Sequence, residues 1–397
     1  MKSEMTMTNI FKTSIATLAM LAGTTLMAAH AQVPTDGDLG FQPAATPLAE
    51  EVHQFHNLVL LPIITFISLF VLALLIWVIV RYNRRANPVA HKFSHNTTVE
   101  VLWTLIPIFI LAYIAVFSFD LLYKEGVLPD GRKVSYVSDG TSTAYAFEND
   151  FQENRMVTNA RHMEIYVTTP AGERSKLDGE AYTLEGLGTP EVLVSLDSAP
   201  AAGSEITVVG GRSRIGRGKF LDLFGEDNSE IATRPTLTIK ATGYQWGWNY
   251  AYPDYGDFEF DALLAQKDDL DDSSLYLLAA TNDIVVPAGE TVRIITTARD
   301  VIHSWAMPAF TLKIDAVPGR LNETWFRAPQ TPGTTYYGQC SEICGKDHAY
   351  MPIGLRVVSD AEFEAWVDEQ RALAGMDPYF DDETRLADAA DNSDAAQ

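Results

Sequence analysis

The residues with the most evident chemistry lie near the end of the chain, in segment 340–351, which reads C-S-E-I-C-G-K-D-H-A-Y-M. This segment contains the chain's only two cysteines, Cys340 and Cys344, together with His348 and Met351. A second imidazole is available from His303, upstream in V-I-H-S-W. Thiolate, imidazole and thioether groups are soft ligands of the kind that selects copper. The residue types therefore predict a copper site.

The number of sulfur ligands indicates how many ions the site holds. A mononuclear blue-copper site needs only one thiolate, whereas this segment offers two. We therefore predict two copper ions that share both sulfurs, with one imidazole bound to each ion. Met351 is then the weak ligand of one ion, and a nearby backbone carbonyl is the weak ligand of the other.

Two other kinds of site fit part of this pattern. In an exported domain, two cysteines can form a disulfide, because oxidising compartments favour one. A disulfide does not require His348 and Met351 at ligand spacing, and it leaves His303 without a role. Two cysteines and two histidines can also bind zinc, but the thioether argues against zinc.

The longer run 336–352, Y-Y-G-Q-C-S-E-I-C-G-x-x-H-x-x-M-P, resembles the binuclear copper (CuA) motif of subunit II of haem-copper cytochrome c oxidases. This resemblance implies six copper-binding positions: the side chains of His303, Cys340, Cys344, His348 and Met351, and the backbone carbonyl of Glu342. It also implies that the Glu342 side chain binds a magnesium ion at the boundary with subunit I. One carboxylate plus waters suits Mg²⁺, which dehydrates reluctantly.

A second resemblance concerns the aromatic segment 243–252, G-Y-Q-W-G-W-N-Y-A-Y. It is similar to the G-H-Q-W-Y-W-S-Y-E-Y segment of the same family, in which the first tryptophan receives the electron from docked cytochrome c. That position corresponds to Trp246, although Tyr244 and Gly247 differ from the family pattern. An aromatic stripe of this kind is also typical of a protein core.

Four carboxylates follow the aromatic segment, and the whole chain is acidic. The formal net charge of −23 points to a cationic partner and not to nucleic acid. Carboxylates beside an electron-entry residue can steer a lysine-rich cytochrome by long-range attraction. A solvated acidic loop is the alternative interpretation. The predicted docking residues are Asp254, Asp257, Glu259 and Asp261.

The N-terminal sequence predicts export. Lysines precede an apolar run, and Ala29-His30-Ala31 forms an A-x-A cleavage site, so that residues 1–31 are typical of a secretory signal peptide. An uncleaved anchor is the alternative. Residues 32–57 are then expected to be a periplasmic N-terminal segment, of which residues 32–49 are polar and flexible.

Two apolar runs, 58–80 and 101–123, are each long enough to cross a bilayer as a helix. Arg81, Arg84, Arg85 and Lys92 lie in the connecting loop 81–100, which places that loop in the cytoplasm by the positive-inside rule. Both mature termini are therefore expected in the periplasm of a bacterial inner membrane. The helical hairpin would contact membrane lipids and subunit I.

Glu100 stands at the cytoplasmic end of the second run. An ionisable group at that depth is costly and invites a functional hypothesis. The resemblance implies a position at the entrance of a proton path into subunit I. A carboxylate that merely reaches the membrane interface is the alternative.

The rest of the chain predicts a β-rich structure. Residues 124–234 depart from the family and contain short β-rich runs between turns, such as 163–169, 191–196 and 205–209. We therefore predict a β-rich insertion of unassigned role. Residues 235–359 contain many short strands, typical of a Greek-key β-sandwich, which the resemblance identifies as a cupredoxin domain. Residues 360–397 are expected to form a helix and a disordered acidic tail.

Together these features predict subunit II of a bacterial cytochrome c oxidase. It would accept electrons from cytochrome c at CuA and pass them to haem in subunit I, where O₂ is reduced to water with proton pumping. The chain lacks a C-x-x-C-H haem attachment site and a membrane histidine set, so oxygen is not reduced within it. The alternatives are a membrane-anchored copper-delivery or thiol-disulfide protein, and a non-catalytic subunit that has lost copper.

Overall fold

The structure, a computed structural model, describes residues 33–35, 37–89, 92, 94–149, 156–216 and 230–380. The signal peptide predicted over residues 1–31 and the tail beyond residue 380 lie outside the described residues. Within them, the predicted order of a helical hairpin, a β-rich insertion and a β-sandwich is confirmed.

The hairpin consists of two long apolar helices. The first long helix has two parts, α1 (Pro47–Phe55) and α2 (Leu61–Arg81), which a π turn at His56–Leu60 joins without a break. The second is α3 (Thr97–Gly126). Both are long and apolar enough to cross a membrane, and their most apolar stretches are almost entirely unburied by the rest of the chain.

The first helix begins at Pro47, well before the predicted span 58–80, so the expectation of a flexible segment over residues 32–49 is wrong for residues 47–49. The Thr46 hydroxyl accepts a hydrogen bond from Ala49 N, and Pro47 occupies the first turn, where its missing N–H costs nothing. The π turn lies just before Pro62, whose ring cannot fit a regular helical turn.

The second helix also exceeds its predicted span, 101–123. The Asn96 side chain accepts a hydrogen bond from Val99 N and so caps the helix several residues earlier than hydropathy indicates. Pro107 lies in the helix interior and not in the first turn. Hydropathy therefore locates the part of each helix within the membrane, whereas the caps fix where each helix ends.

The insertion is a β module with its own core. Its strands are β1 Arg132–Val137, β2 Ala144–Glu148, β3 Met163–Thr168, β4 Arg174–Lys176, β5 Tyr182–Glu185, β6 Glu191–Leu196, β7 Glu205–Gly210, β8 Arg214–Ile215 and β9 Glu230–Ile231. They form antiparallel sheets in the orders β1-β7-β3-β4, β2-β6-β5 and β8-β9. Phe147, Ile165, Val192 and Val208 lie in this core and are fully buried.

The β-sandwich follows. Its strands are β10 Leu237–Tyr244, β11 Gly247–Tyr252, β12 Phe258–Ala262, β13 Ile284–Pro287, β14 Thr291–Ala298, β15 His303–Met307, β16 Leu312–Ala316, β17 Asn322–Arg327, β18 Thr335–Gln339 and β19 Pro352–Val358. The sheet orders are β12-β11-β10-β14-β17, β13-β19-β18 and β15-β16. One core joins these sheets, with Ile239, Trp248, Val286, Trp305 and Leu355 among its buried members.

A buried carboxylate joins the hairpin to the insertion. The Glu51 side chain is 0 % exposed; it lies 2.6 Å from Lys124 Nζ on the second helix and accepts a hydrogen bond from Gly216 N of the insertion. Trp325 Nε1 of the sandwich donates to Lys124 O at 2.9 Å. The two helices, the insertion and the sandwich therefore meet at the outer end of the hairpin.

The C-terminal helix, predicted from the sequence, is α4 (Asp360–Leu373), and it buries Phe363 and Val367 against the sandwich. The tail was expected to be disordered from residue 375 onward, which is wrong for residues 376–380. The Phe380 ring packs on Tyr255 with centroids 5.6 Å apart, so aromatic contacts hold this short stretch on the domain.

Candidate metal centre

The predicted copper ligands converge at one end of the sandwich. Strands β18 and β19 are antiparallel, and Gln339 pairs with Pro352, so the segment 340–351 forms the loop that closes this hairpin. Cys340 N donates to Met351 O across the base of the loop. His303 is the first residue of β15 and is 0 % exposed. The sandwich thus brings a distant histidine to a short cysteine loop.

The ligand atoms lie within a few ångströms of one another. Cys340 Sγ lies 3.9 Å from Cys344 Sγ and 3.9 Å from His303 Nδ1. Cys344 Sγ lies 3.5 Å from His348 Nδ1 and 3.5 Å from Met351 Sδ. Each sulfur therefore has one imidazole nitrogen close to it, and one imidazole for each copper ion stays a prediction.

This donor set fits thiolate-bound metal. The sulfurs are too far apart for a disulfide, whose S–S bond is about 2.05 Å, and both cysteines are free and buried. Two metal–sulfur bonds of about 2.3 Å each can span a sulfur separation of 3.9 Å. Two thiolates and two imidazoles also suit zinc, but the thioether of Met351 beside them is a ligand of copper sites, which favours copper.

The carbonyl of Glu342 faces the same centre, 3.4 Å from Cys340 Sγ. The main chain between the two cysteines therefore offers an oxygen to the site, as the resemblance implies. The Glu342 side chain is half-buried and separate from this oxygen.

Asp300 supports His303 and was not identified from the sequence. Its Oδ1 lies 3.0 Å from His303 Nε2, which leaves Nδ1 directed at the sulfur. Metal-binding histidines are commonly oriented by a carboxylate in this way. Burial raises the pKa of Asp300, but the hydrogen bonds from His303 and from backbone N–H groups outweigh it, so the pKa lies below its usual range. In the sequence, this role of Asp300 was indicated only by its position three residues before His303, in D-V-I-H.

Gly243 makes room for the His303 ring. A Cβ atom at this position would lie 2.8 Å from His303 Cγ and 2.9 Å from Cβ of that residue. Both residues are buried, so the ring has little space to move. The last part of β10 therefore approaches the imidazole closely only because it carries no side chain there.

The two thiols differ in acidity. Burial raises the pKa of Cys340, but the His303 imidazole and the backbone of Glu342 and Ser304 outweigh burial and bring the pKa down to about 6. Burial and the neighbouring Cys340 thiolate raise the pKa of Cys344 to about 12. The pair of thiols therefore carries one negative charge more readily than two, and a bound cation would favour the second.

Trp246 lies against the cysteine loop. It is half-buried, and a Cβ at Gly345 would approach its ring atom Cζ2 to 3.1 Å. The preceding residue, Gln245, donates from Nε2 to Cys344 O at 2.7 Å. The indole therefore contacts the loop that holds the sulfurs.

The two departures from the family's aromatic pattern compensate each other. A Cβ at Gly247 would lie 2.9 Å from Tyr244 Oη and 2.6 Å from Leu263 Cδ2. The Tyr244 ring thus occupies space that a side chain at position 247 would need. The Arg299 guanidinium stands 5.2 Å from the centre of this ring.

The four predicted docking acids are exposed, but they do not form one cluster. Asp261 pairs with Asn249 near the Trp246 end of β11, whereas Asp254 and Asp257 lie at the opposite turn of the hairpin. At 3.3 Å per residue, Asp257 is about 13 Å farther along the strand than Asp261. Asp254 also accepts a hydrogen bond from Thr238 N at 2.5 Å.

A second acidic stretch, which was missed, continues from the end of β12 that lies near Trp246, where Ala262 pairs with Trp248. It follows β12 and contains four exposed aspartates, which the run Q-K-D-D-L-D-D could have indicated: Asp268, Asp269, Asp271 and Asp272. Glu100, in contrast, lies far from the sandwich in the first turn of α3, where Asn96 N donates to Glu100 Oε1 at 3.3 Å.

These features define a class of protein: a membrane-anchored β-sandwich with a buried thiolate and imidazole centre at one end. Comparisons identify the family. The model of the cytochrome c oxidase subunit II transmembrane domain matches residues 34–121, and that of its periplasmic domain matches residues 237–358. Neither covers the insertion.

Relatives of known family match most of the chain. A probable cytochrome c oxidase subunit 2 of Rickettsia bellii is 36 % identical over 344 residues, which are 87 % of this chain and 88 % of the relative. Cytochrome c oxidase subunit 2 of Zea mays is 31 % identical over 345 residues, covering 84 % and 90 % of the two chains. The chain belongs to the cytochrome c oxidase subunit II family.

Among solved structures, the periplasmic domain of subunit II of a Bradyrhizobium japonicum cytochrome oxidase is 55 % identical. The matched region is 35 % of this chain and 96 % of that domain, and the TM-score is 0.32. The function of the chain is that of its family. As part of the oxidase complex, it accepts electrons from cytochrome c and passes them to haem in subunit I, where O₂ is reduced.

Proposed function

We propose that the cluster described above is a binuclear CuA centre with two copper ions. The observation that carries this proposal is the paired arrangement of donors: two sulfurs 3.9 Å apart, each with its own imidazole Nδ1 within 3.9 Å. When bound, the copper pair supplies reversible one-electron transfer. The ligands are His303, Cys340, Cys344, His348 and Met351, with the carbonyl of Glu342.

The residues of this chain prepare the site for that role. Asp300 holds the His303 ring, and the β18–β19 hairpin holds the sulfurs. Because these groups are anchored in a packed core, little has to rearrange when the charge of the centre changes. A small rearrangement lowers the barrier to electron transfer.

Trp246 is the proposed site of electron entry. It is partly exposed to a docked donor and touches the cysteine loop on its other side. The donor is a lysine-rich cytochrome c, attracted by the acidic surface beside the tryptophan. In this arrangement Asp261 and Glu259 act near the entry point, whereas Asp254 and Asp257 act from farther away.

Three further roles follow from the family. The Glu342 carboxylate, separate from its carbonyl, would bind Mg²⁺ together with subunit I. The hairpin would lie in a bacterial inner membrane, among lipids and beside subunit I, with both mature termini in the periplasm. Glu100, at the cytoplasmic end of α3, would stand at the entrance of a proton path; its role in capping that helix is the competing explanation.

Copper stoichiometry and thiol protection test the copper proposal. In the purified oxidase, this chain should carry two copper ions outside subunit I, and both cysteines should resist alkylation until a chelator removes the copper. Cys344→Ser should abolish the binuclear centre, because one shared sulfur is lost. Ser341→Ala, an exposed neighbour in the same loop, is the matched control. A single protected thiol or one copper ion would contradict the proposal.

A further inference from the structure

Gln245, the residue just before Trp246, is attached to the metal-binding region at two points. Its side-chain Nε2 donates to Cys344 O at 2.7 Å, and its backbone N donates to Asp300 Oδ2 at 2.8 Å. Although the residue is exposed, both of its hydrogen-bonding arms are engaged with groups of the site.

The two contacts lead to different sides of the proposed centre. Cys344 supplies one of the two sulfurs. Asp300 uses its other oxygen, Oδ1, to contact His303 Nε2 at 3.0 Å, and His303 faces Cys340. Gln245 is therefore linked to both halves of the proposed centre. One link runs directly to Cys344, and the other runs through Asp300 to His303.

The indole of Trp246 has no such anchor of its own. Among the described residues, no hydrogen-bond partner lies near its buried Nε1. Its contact with the loop is through Gly345, where a Cβ would approach Gln245 Nε2 to 2.9 Å and the indole to 3.1 Å. The indole also packs against the sandwich core, so the hydrogen bond between this part of the chain and the cysteine loop comes from Gln245 and not from Trp246 itself.

We propose that Gln245 is the positioning residue for electron entry: its amide holds Trp246 against the cysteine loop and supplies the hydrogen-bonded connection to Cys344. This inference rests on the proposed function of Trp246 and of the copper centre. With copper bound, the centre would gain the one electron that the haem iron of the docked cytochrome loses, so that the transfer is balanced. No proton is transferred at Gln245.

The test separates docking from electron transfer in the intact oxidase. Gln245→Leu and Gln245→Met keep most of the side-chain volume but lose the amide donor. Laser-flash reduction of a photoactivatable cytochrome c, bound at low ionic strength, gives the first-order rate of electron transfer within the complex. The second-order rate at higher ionic strength reports association.

We expect both variants to slow the first-order step severalfold while the association rate stays unchanged. The electron paramagnetic resonance spectrum and the reduction potential of the centre should also be unchanged, because no ligand is altered. Hydroxyl-radical footprinting should show faster oxidation of Trp246, since the indole is less firmly held. Gln330→Leu, an exposed glutamine at the opposite end of the sandwich, should change none of these quantities.

Other results would overturn the inference. A slower association with an unchanged first-order rate would make Gln245 a contact for the cytochrome instead. Loss of the copper signal in both variants would make it a support for the ligands. Trp246→Phe separates the proposal for Gln245 from the proposal for Trp246. If this substitution leaves the first-order rate unchanged, the proposed entry site itself is wrong. If it slows that rate and the Gln245 variants do not, only the present inference fails.

Discussion

At the scale of single residues, the centre depends on two groups of side chains. The residue types of the first group indicated metal binding in the sequence, whereas the roles of their neighbours could not be recognised there. The five proposed ligand side chains could be selected from the sequence because thiolate, imidazole and thioether have few other reasons to occur at this spacing. Asp300 and Gln245 could not, since carboxylates and amides are common on surfaces. Their roles depend on which loop folds against which.

Gly243 gives the sharpest prediction at this scale. Replacing it with alanine puts a Cβ 2.8 Å from His303 Cγ, and the buried ring must shift away from Cys340. Gly243→Ala should lower copper affinity by about 10–100-fold, the range seen when a metal ligand loses its support. Competition with a copper chelator measures this.

Gly179→Ala is the matched control, because nothing lies within 4 Å of a Cβ there. It should leave copper affinity unchanged. Wild-type affinity in the Gly243→Ala variant would mean that the His303 ring tolerates displacement, and the close packing described here would then be irrelevant to metal binding.

At the scale of elements, strands were predicted more accurately than helix ends. The runs 163–169, 191–196 and 205–209 of the insertion correspond to β3, β6 and β7 within one residue at each end. Alternation and turn residues mark strand ends locally. The helices extend beyond their apolar spans because polar caps at Thr46 and Asn96, outside the membrane region, decide where they begin.

The insertion is held together by a buried carboxylate on β3. Glu164 is 2 % exposed; its oxygens lie 2.7 Å from Lys176 Nζ and from Arg214 Nη2, and they accept hydrogen bonds from Ile231 N and Tyr166 Oη. Arg214 is therefore an internal ion-pair partner.

Burial raises the pKa of Glu164, but Lys176, the Ile231 N–H and Arg214 outweigh it, so the folded-state pKa lies below its ordinary value of 4.5. Its contribution to stability is therefore present above that ordinary pKa and is lost as the pH falls through the lower folded-state value. Glu164→Gln should destabilise the insertion by about 1–3 kcal/mol at neutral pH.

Amide hydrogen exchange of β3 and β7, followed by mass spectrometry, measures this change. The difference between wild type and Glu164→Gln should shrink as the solution is acidified below the folded-state pKa. Glu173→Gln, in an exposed turn next to β4, should behave as wild type at every pH. A difference that grows on acidification would refute the assignment of the charged form to the folded state.

At the scale of the whole molecule, charge and membrane anchoring decide how the donor arrives. The chain carries a formal charge of −23, and exposed carboxylates flank the Trp246 end of the sandwich. The sequence predicted an acidic docking surface but grouped four residues that the β11–β12 register separates. Proximity along the sequence was a poor guide, because the hairpin carries Asp257 away from the entry point.

The register predicts unequal effects of two neutralising substitutions. Asp261→Asn should lower the second-order rate of cytochrome c oxidation at low ionic strength more than Asp254→Asn, because Asp261 lies nearer Trp246. The two variants should converge on wild type as salt is added, since the Debye length falls from about 30 Å at 0.01 M to about 10 Å at 0.1 M. A rate independent of ionic strength would contradict electrostatic steering.

The insertion and the sandwich meet the hairpin at Glu51 and Lys124, so the copper loop has a defined place relative to the membrane. The sequence could not predict this junction, because its members are far apart in the chain and each is an ordinary charged residue. The order of hairpin, insertion and sandwich could nevertheless be predicted, because two long apolar runs and a strand-rich region are evident from the residue types alone.

The most direct test of the account is an electron paramagnetic resonance spectrum of the copper-loaded chain. If two copper ions share the two sulfurs, as we propose, one unpaired electron would be spread equally over both nuclei. We predict hyperfine splitting from two equivalent copper nuclei, which Cys344→Ser should eliminate. A spectrum split by a single copper nucleus in the wild-type chain would contradict the account.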